Sequence, residues 1–308
     1  GFFVNREAEV DLLVTCAAAA EPLLLVGPPG TAKSALISMF VESLGLGGES
    51  YFEYMLTKFT EPSEILGPID IDLLKQGRFM RRTRGKLPEA EVVFLDEVFK
   101  SNSAILNTLL TIINERKYYQ DGAPTAVKMK MLFAATNEIP EQSELDALSD
   151  RFIVKVETKP VKDTAFEELL DAGSRNEGYR ASGVKPWKRS ADGEAGGATF
   201  EDFLDFRRYL DLSTAAVPEG GHAADRAQWF PSAPFAEFRR IVRTLETEDR
   251  VLISDRKLVK LYRLMRVRAF LAHGGAVKTD DLRLMAYCGN RRTELDTVQT
   301  KVFSLLGI

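Results

Sequence analysis

The run Gly27-Pro28-Pro29-Gly30-Thr31-Ala32-Lys33-Ser34 sets two glycines, a lysine and a hydroxyl between an apolar segment and an amphipathic one. A polyphosphate needs convergent backbone N–H groups, a helix N-terminus behind them, one lysine for the outer oxygens and a hydroxyl for magnesium. This run can supply all four. Ala32 stands where such loops ordinarily carry their second glycine, and its methyl is tolerated if the residue keeps a negative φ as the helix begins. Asp96 and Glu97 close the apolar run Val92-Val93-Phe94-Leu95. Carboxylates at strand C-termini face the crevice where ligands sit in open α/β sheets. Asp96 suits Mg²⁺ coordination through water beside Ser34, and Glu97 suits orienting an attacking water. Neither is a tight metal ligand alone, because Mg²⁺ is held mostly by water and phosphate. Asn137 follows the run Met131–Thr136 and opens into the same crevice, where its amide suits positioning water or meeting a terminal phosphate. An asparagine at a strand end also suits a cap or turn. Phosphoryl transfer further needs a cation for the equatorial oxygens. Arg116, Arg151 and Arg256 are candidates, and the residues alone do not rank them. The basic run Arg78, Arg81, Arg82, Arg84, Lys86 is broken by acidic neighbours and reads as a solvated insertion.

These residues need elements to hold them. Leu23-Leu24-Leu25-Val26 is apolar on every side and leads straight into glycines, as a strand buried on both faces of a parallel sheet does. Residues 33–44 have a helical period, with Leu36, Ile37, Phe40, Val41 and Leu44 on one side. Tyr51–Thr57, Val92–Leu95, Met131–Ala135 and Phe152–Val156 read as further strands, and 5–19, 103–114 and 143–148 as helices. Residues 60–90 are broken by proline and glycine into an insertion holding a short helix or a hairpin. Around the turn Asp121-Gly122, segments 118–120 and 126–130 pair as a hairpin. Strand, loop, helix and strand again give a three-layer α/β domain. After residue 160 the pattern turns helical, at 161–172, 199–212, 234–248, 255–272, 279–287 and 292–306. Ser254 and Thr279 suit N-caps, and Gly274-Gly275 a stop. The stretch 173–198 is rich in Gly, Ser and charge and reads as a mobile loop. The domains are therefore a nucleotide-binding core at 1–160, linking helices and loop at 161–235, and a helical lid at 236–308.

Bulk properties narrow the class. The 308 residues carry 41 basic and 45 acidic side chains, a formal net charge of -4 that gives no general reason to expect nucleic acid. No apolar stretch is long enough to span a membrane. The opening residues lack a signal-peptide layout. Cys16 and Cys288 lie far apart, which fits a reducing cytoplasm rather than a disulfide framework. Two histidines, His222 and His273, cannot build a zinc site by themselves.

With these motifs in place, the chain resembles the MoxR group of AAA+ ATPases, and most closely its regulatory ATPase variant A (RavA) branch. The resemblance rests on Gly27–Ser34, Phe59-Thr60-Glu61-Pro62, Leu87-Pro88-Glu89-Ala90, Val93–Glu97, Ala104–Leu110, Ile113-Asn114-Glu115-Arg116, Ala135–Glu138 and Asp150-Arg151-Phe152. It covers 22–156 densely, and Ile253-Ser254-Asp255-Arg256 extends it into the helical part. It implies an AAA+ core with a parallel sheet flanked by helices, then a helical lid, binding ATP or ADP with Mg²⁺. It implies that Asn137 is the first sensor, that Arg151 reaches a neighbouring subunit's nucleotide, and that Arg256 is a second sensor on its own subunit's lid. The insertion at about 60–90 and the hairpin at about 117–130 correspond to channel-facing loops, and Val4–Glu7 to a segment near the adenine. The family further implies a homo-hexameric ring, chaperone-like remodelling and a partner with a von Willebrand factor A domain. ATP is expected over GTP mainly on this ground, together with the absence of an Asn/Thr-Lys-x-Asp stretch. A nucleotide-gated scaffold with slow hydrolysis is the alternative. A small-molecule kinase would leave the helical half unexplained.

Overall fold

Leu23–Val26, Val92–Asp96 and Met131–Thr136 are apolar on both faces because both faces are covered, and Val92 to Leu95 are wholly buried. The computed structural model describes residues 2–139, 143–188, 198–215 and 227–308. With β1 at Leu23–Val26, β2 at Tyr51–Met55, β3 at Val92–Asp96, β6 at Met131–Thr136 and β7 at Val154–Glu157, the sheet has the order β2-β3-β6-β1-β7. The register is parallel, Tyr51 facing Val92 and Leu95 facing Ala134. The ends of β3 and β6 therefore finish at the same edge, delivering Asp96-Glu97 and Asn137 together.

Helices α1 (Glu7–Ala19), α2 (Lys33–Ser43) and α5 (Ser103–Glu115) accompany the strands. In α5 the residues Ile105, Leu106, Leu109, Ile112 and Ile113 form the buried stripe that its period requires. Asn102 caps it by accepting the Ile105 N–H at 3.1 Å, and Arg116 ends it in a left-handed turn. The insertion contains α3 (Pro62–Leu66) and α4 (Ile71–Leu74), and its returning limb bonds Asp70 N–H to Met80 O at 2.8 Å. Gly67 is obligatory there, since a Cβ would stand 2.0 Å from the Arg82 carbonyl oxygen. Two of its cations are paired: Arg82 with Asp70 at 2.9 Å, and Arg84 with Glu49 at 2.6 Å.

The hairpin is shorter than the sequence suggests. Its strands are β4 (Lys117–Gln120) and β5 (Ala123–Ala126), not 118–120 with 126–130. Asp121 and Gly122 both have positive φ, so they form a two-residue turn that sets Gln120 directly opposite Ala123. The insertion is bonded to this hairpin. Phe79 N–H donates to Asp121 Oδ1 at 3.0 Å, Asp121 N–H to Phe79 O at 2.9 Å, and Arg81 N–H to Gln120 Oε1 at 2.8 Å.

A second correction concerns residues 173–182, expected as loop. They continue α7, which runs Phe166–Ser182 and stops where Gly183 turns left-handed. Two anchors outweigh the cost of the internal glycines: Asn176 Nδ2 donates to Phe2 O at 2.8 Å, and the Tyr179 ring meets the Phe2 ring at 6.1 Å. Trp187 is also placed, its indole N–H donating to Glu42 at 2.6 Å. Of the rest of the expected loop, 183–188 is turn and irregular backbone as expected, and 189–197 lies outside the described residues.

Two compact units share the chain: Gly1–Val10, Leu24–Glu138 and Thr158–Phe200 in one, Asp11–Leu23, Ile139–Glu157 and Glu201–Ile308 in the other. The second contains α6 (Ser143–Ser149), α8 (Phe200–Ala215, except Phe200), α9 (Ser232–Thr247), α10 (Asp255–His273), a 3₁₀ stretch at Thr279–Tyr287 and α11 (Arg292–Leu306). Ser254 caps α10 and Gly274 stops it, as expected. The expected cap at Thr279 is replaced: the buried Asp281 carboxylate takes the Lys278 N–H at 2.8 Å. Among the described residues no helix is long and apolar enough to cross a membrane.

Candidate active site

The phosphate loop links β1 to α2, and Gly27 begins it under tight steric control. A Cβ on Gly27 would stand 2.3 Å from Thr158 O, so the first glycine permits a close backbone approach. Thr158 itself donates its N–H to Val26 O at 2.7 Å and exchanges a hydroxyl bond of 2.9 Å with Thr31. Gly30 has φ +82°, which a glycine adopts freely. Ala32 departs from the expectation of negative φ: it sits at φ 64°, ψ 21°. The left-handed turn that opens α2 is retained without the usual glycine, at a cost of about 1–2 kcal/mol in backbone strain. Its methyl is exposed, so no side-chain clash compounds that cost.

Lys33 is buried and turned back over the loop, donating to Gly27 O at 2.6 Å and Pro28 O at 3.0 Å. Burial pushes its ammonium below the ordinary lysine value, against the opposite pull of Asp96 and Glu97. Ser34 Oγ donates to Asp96 Oδ2 at 3.4 Å, and Glu97 N–H donates to Asp96 Oδ1 at 2.9 Å. The sequence-derived residues Lys33, Ser34, Asp96, Glu97 and Asn137 are thus brought together.

Asn137 joins the two halves of this group. Its Oδ1 accepts from Lys33 Nζ at 3.4 Å, its Nδ2 donates to Glu97 Oε1, and its N–H donates to Glu97 Oε2 at 3.4 Å. Glu97 also pairs with Lys100 at 3.1 Å and holds a left-handed backbone, φ 52°. Such a conformation costs about 1–3 kcal/mol and persists only where its surroundings fix it. A hydroxyl and a carboxylate in contact at the mouth of the loop are hard oxygen donors, and they fit magnesium.

Beside the loop lies a cavity of about 840 Å³, the size of a small-molecule site. The loop and α2 form one wall, Phe2–Val4 with Arg6 another, and α7 a third. Arg6 is fixed by Glu9 at 3.0 Å and Lys159 O at 2.6 Å.

A model for the MoxR domain of MoxR-vWA-beta-propeller ternary systems matches residues 1–188. The chain belongs to the MoxR family of AAA+ ATPases. An AAA lid-domain model matches residues 236–302. Two uncharacterized proteins of Methanocaldococcus jannaschii are each 41% identical over 180 residues, 58% of this chain and 47% and 46% of theirs. The structural protein ORF618 of Acidianus two-tailed virus is 37% identical over 137 residues, 44% of this chain and 22% of that protein. The chain thus spans less than half the length of these curated relatives. A solved structure of a candidate ATPase from Cytophaga hutchinsonii superposes with a TM-score of 0.68, covering 97% of this chain and 90% of that one. At 17% identity that likeness is one of fold alone. This MoxR chain carries the α/β core and helical lid of an ATPase domain, and nucleotide with Mg²⁺ is what its family uses.

The two other arginines lie in the second unit. Arg151 Nη1 pairs with Asp150 Oδ2 at 3.1 Å, and Arg256 approaches the same oxygen at 3.9 Å. Arg151 is partly buried, and burial lowers its hold on the proton, with Arg256 adding to the effect. Arg116, the third candidate, is the C-cap of α5. Sequence reasoning missed Thr158, Asn176 and Trp187. No motif marks Thr158. An apolar–polar period through 166–182 was the available signal for α7, weakened by Gly173 and Gly178.

Proposed function

We propose that this chain is the ATP-hydrolysing motor of a protein-remodelling assembly. The observation that carries this reading is Glu97, held by Asn137 beside a phosphate loop, since a purely structural nucleotide site has no need of a water-orienting carboxylate. Lys33 and the loop N–H groups bind the phosphates of ATP or ADP. Ser34 and Asp96 would hold magnesium, which supplies charge neutralisation on the outer oxygens when bound. Glu97 orients water, and Asn137 keeps Glu97 and Lys33 in register.

The working form is a homo-hexameric ring in which Arg151 reaches a neighbour's nucleotide and Arg256 acts as second sensor. A partner with a von Willebrand factor A domain follows from the kind of system that the matching family model describes. Placement near the RavA branch rests on the motifs shared with it, and a cytoplasmic setting on the two unpaired cysteines. The Lys100–Glu97 pair favours a second reading, a scaffold in which hydrolysis stays slow until that pair opens.

Glu97→Gln tests the proposal. It keeps ATP affinity, loses most turnover, and in ATP retains a client that Lys33→Ala does not. Turnover at the native rate refutes the role of Glu97. Equal, nucleotide-independent capture by both variants refutes remodelling.

A further inference from the structure

Asn290 stands just before α11, within the second compact unit, and all four of its polar atoms are bonded. Its amide orientation follows from its partners. The fully buried Lys257 ammonium can only donate and meets Oδ1, while the Leu252 carbonyl can only accept and takes Nδ2 at 2.9 Å. The main-chain N–H of Asn290 donates to Glu294 Oε2 at 2.8 Å, and its carbonyl accepts Ser149 Oγ at 3.0 Å. These partners bracket two arginines. Leu252 and Lys257 lie on either side of Arg256 at the start of α10, and Ser149 stands two residues before Arg151. The arginines' own side-chain bonds hold them lightly. Arg256 is half-exposed and comes within 3.9 Å of Asp150; Arg151 pairs with the same carboxylate at 3.1 Å, and its buried Nε finds no acceptor among the described residues. Each takes its place from its backbone, and Asn290 bonds to both stretches of backbone.

We propose that Asn290 is the positioning residue for this arginine pair, its amide setting the first turn of α10 with Arg256 and its carbonyl setting the segment with Arg151. The inference rests on the reading of Arg256 as second sensor and of Arg151 as the residue that reaches a neighbour's nucleotide. Burial makes the side-chain arm strong. Lys257 is out of contact with water, so loss of Oδ1 leaves Cys288 O, at 2.9 Å, to hold the ammonium, and the start of α10 must shift to hydrate it. A misplacement of about 1 Å at a group that meets developing charge costs up to about a hundredfold in rate.

The test is a double-mutant cycle on the ATPase rate. Asn290→Ala, checked for folding by circular dichroism, should lower kcat by about tenfold to a hundredfold. In an Arg256→Ala background it should add no more than about twofold, because the residue it positions is already gone. A merely structural loss would instead multiply with that of Arg256→Ala. Should Asn290→Ala not fold, Asn290→Asp takes its place in the cycle, since it keeps an acceptor for Lys257 and removes the donor to Leu252. Ser149→Ala isolates the other arm. It should slow homogeneous rings and, like Arg151→Ala, be rescued by mixing with Lys33→Ala subunits, whereas Asn290→Ala should not be, since Arg256 serves its own subunit. A native rate in the Asn290 or the Ser149 variant, or losses that multiply in the cycle, overturns the inference. If Arg256→Ala and Arg151→Ala themselves turn over ATP at the native rate, the reading of the two arginines falls and this inference with it. If they are slow while Asn290→Ala is not, this inference alone falls.

Discussion

Replacing Gly27 by Ala places a methyl 2.3 Å from Thr158 O and 2.4 Å from Thr158 Oγ1. The two backbones must separate by about 1 Å before ordinary van der Waals distance is restored. Thr158 is not free to retreat. Its N–H bonds Val26 O at 2.7 Å and its hydroxyl meets Thr31 at 2.9 Å, and an added ångström takes both beyond hydrogen-bond geometry. Two bonds at about 1 kcal/mol each, with about 1–3 kcal/mol for overpacking, give a loss of about 4 kcal/mol. Gly30→Ala is the internal control. Its Cβ enters open space, so only the strain of φ +82° remains, about 1–2 kcal/mol. By thermal melting followed by circular dichroism, Gly27→Ala should lose about 10 °C and Gly30→Ala about half that or less. Adding Thr158→Ala should not rescue Gly27→Ala, because the nearest obstacle is the carbonyl, not the hydroxyl. Equal losses at Gly27 and Gly30, or full rescue by Thr158→Ala, would refute the steric reasoning.

Lys33→Ala should weaken Mg-ATP binding by about tenfold to a hundredfold, measured by calorimetry, as loss of a charge-assisted phosphate contact. Mixing Arg151→Ala with Lys33→Ala subunits should restore part of the ATPase rate lost by each, since one interface then joins an intact loop to an intact arginine. No rescue in verified mixed rings counts against Arg151 acting on a neighbour. Burial would raise the Glu42 pKa, yet the bonds from Lys185 and Trp187 outweigh it and hold the carboxyl below its ordinary value. That contribution is present above the unfolded value of about 4.3 and is lost as pH falls through the lower folded value. Trp187 emission should therefore shift to the red as pH falls below that unfolded value, and Glu42→Gln should abolish that acid step.

What could be read from the sequence was what neighbouring residues determine together. The phosphate loop, the apolar strands and the carboxylates closing β3 each declare themselves within a few residues, and parallel register then brings Asp96, Glu97 and Asn137 to one edge. Other features depend on distant partners. Asn176 and Tyr179 are helical in a stretch with two glycines because Phe2, far off in sequence, anchors them. Thr158 matters only because Gly27 approaches it. The left-handed Ala32 defeats a local rule, since propensity argues for negative φ while the loop's geometry imposes the opposite sign. The start of β5 was missed for a smaller reason: the two-residue turn at Asp121-Gly122 leaves no room for a loop before Ala123.

The three hydrogen bonds between the insertion and the hairpin make two loops from separate parts of the sequence into one lever arm. Moving either alone means breaking bonds at Phe79, Arg81 and Asp121; otherwise both travel together. Four residues link the hairpin to β6, which is six residues and about 20 Å of buried strand with Asn137 after it. A strand clamped between neighbours transmits a push along its length better than it bends. The exposed rings of Phe79 and Tyr119 are thus carried by one bonded unit rather than by two independent loops.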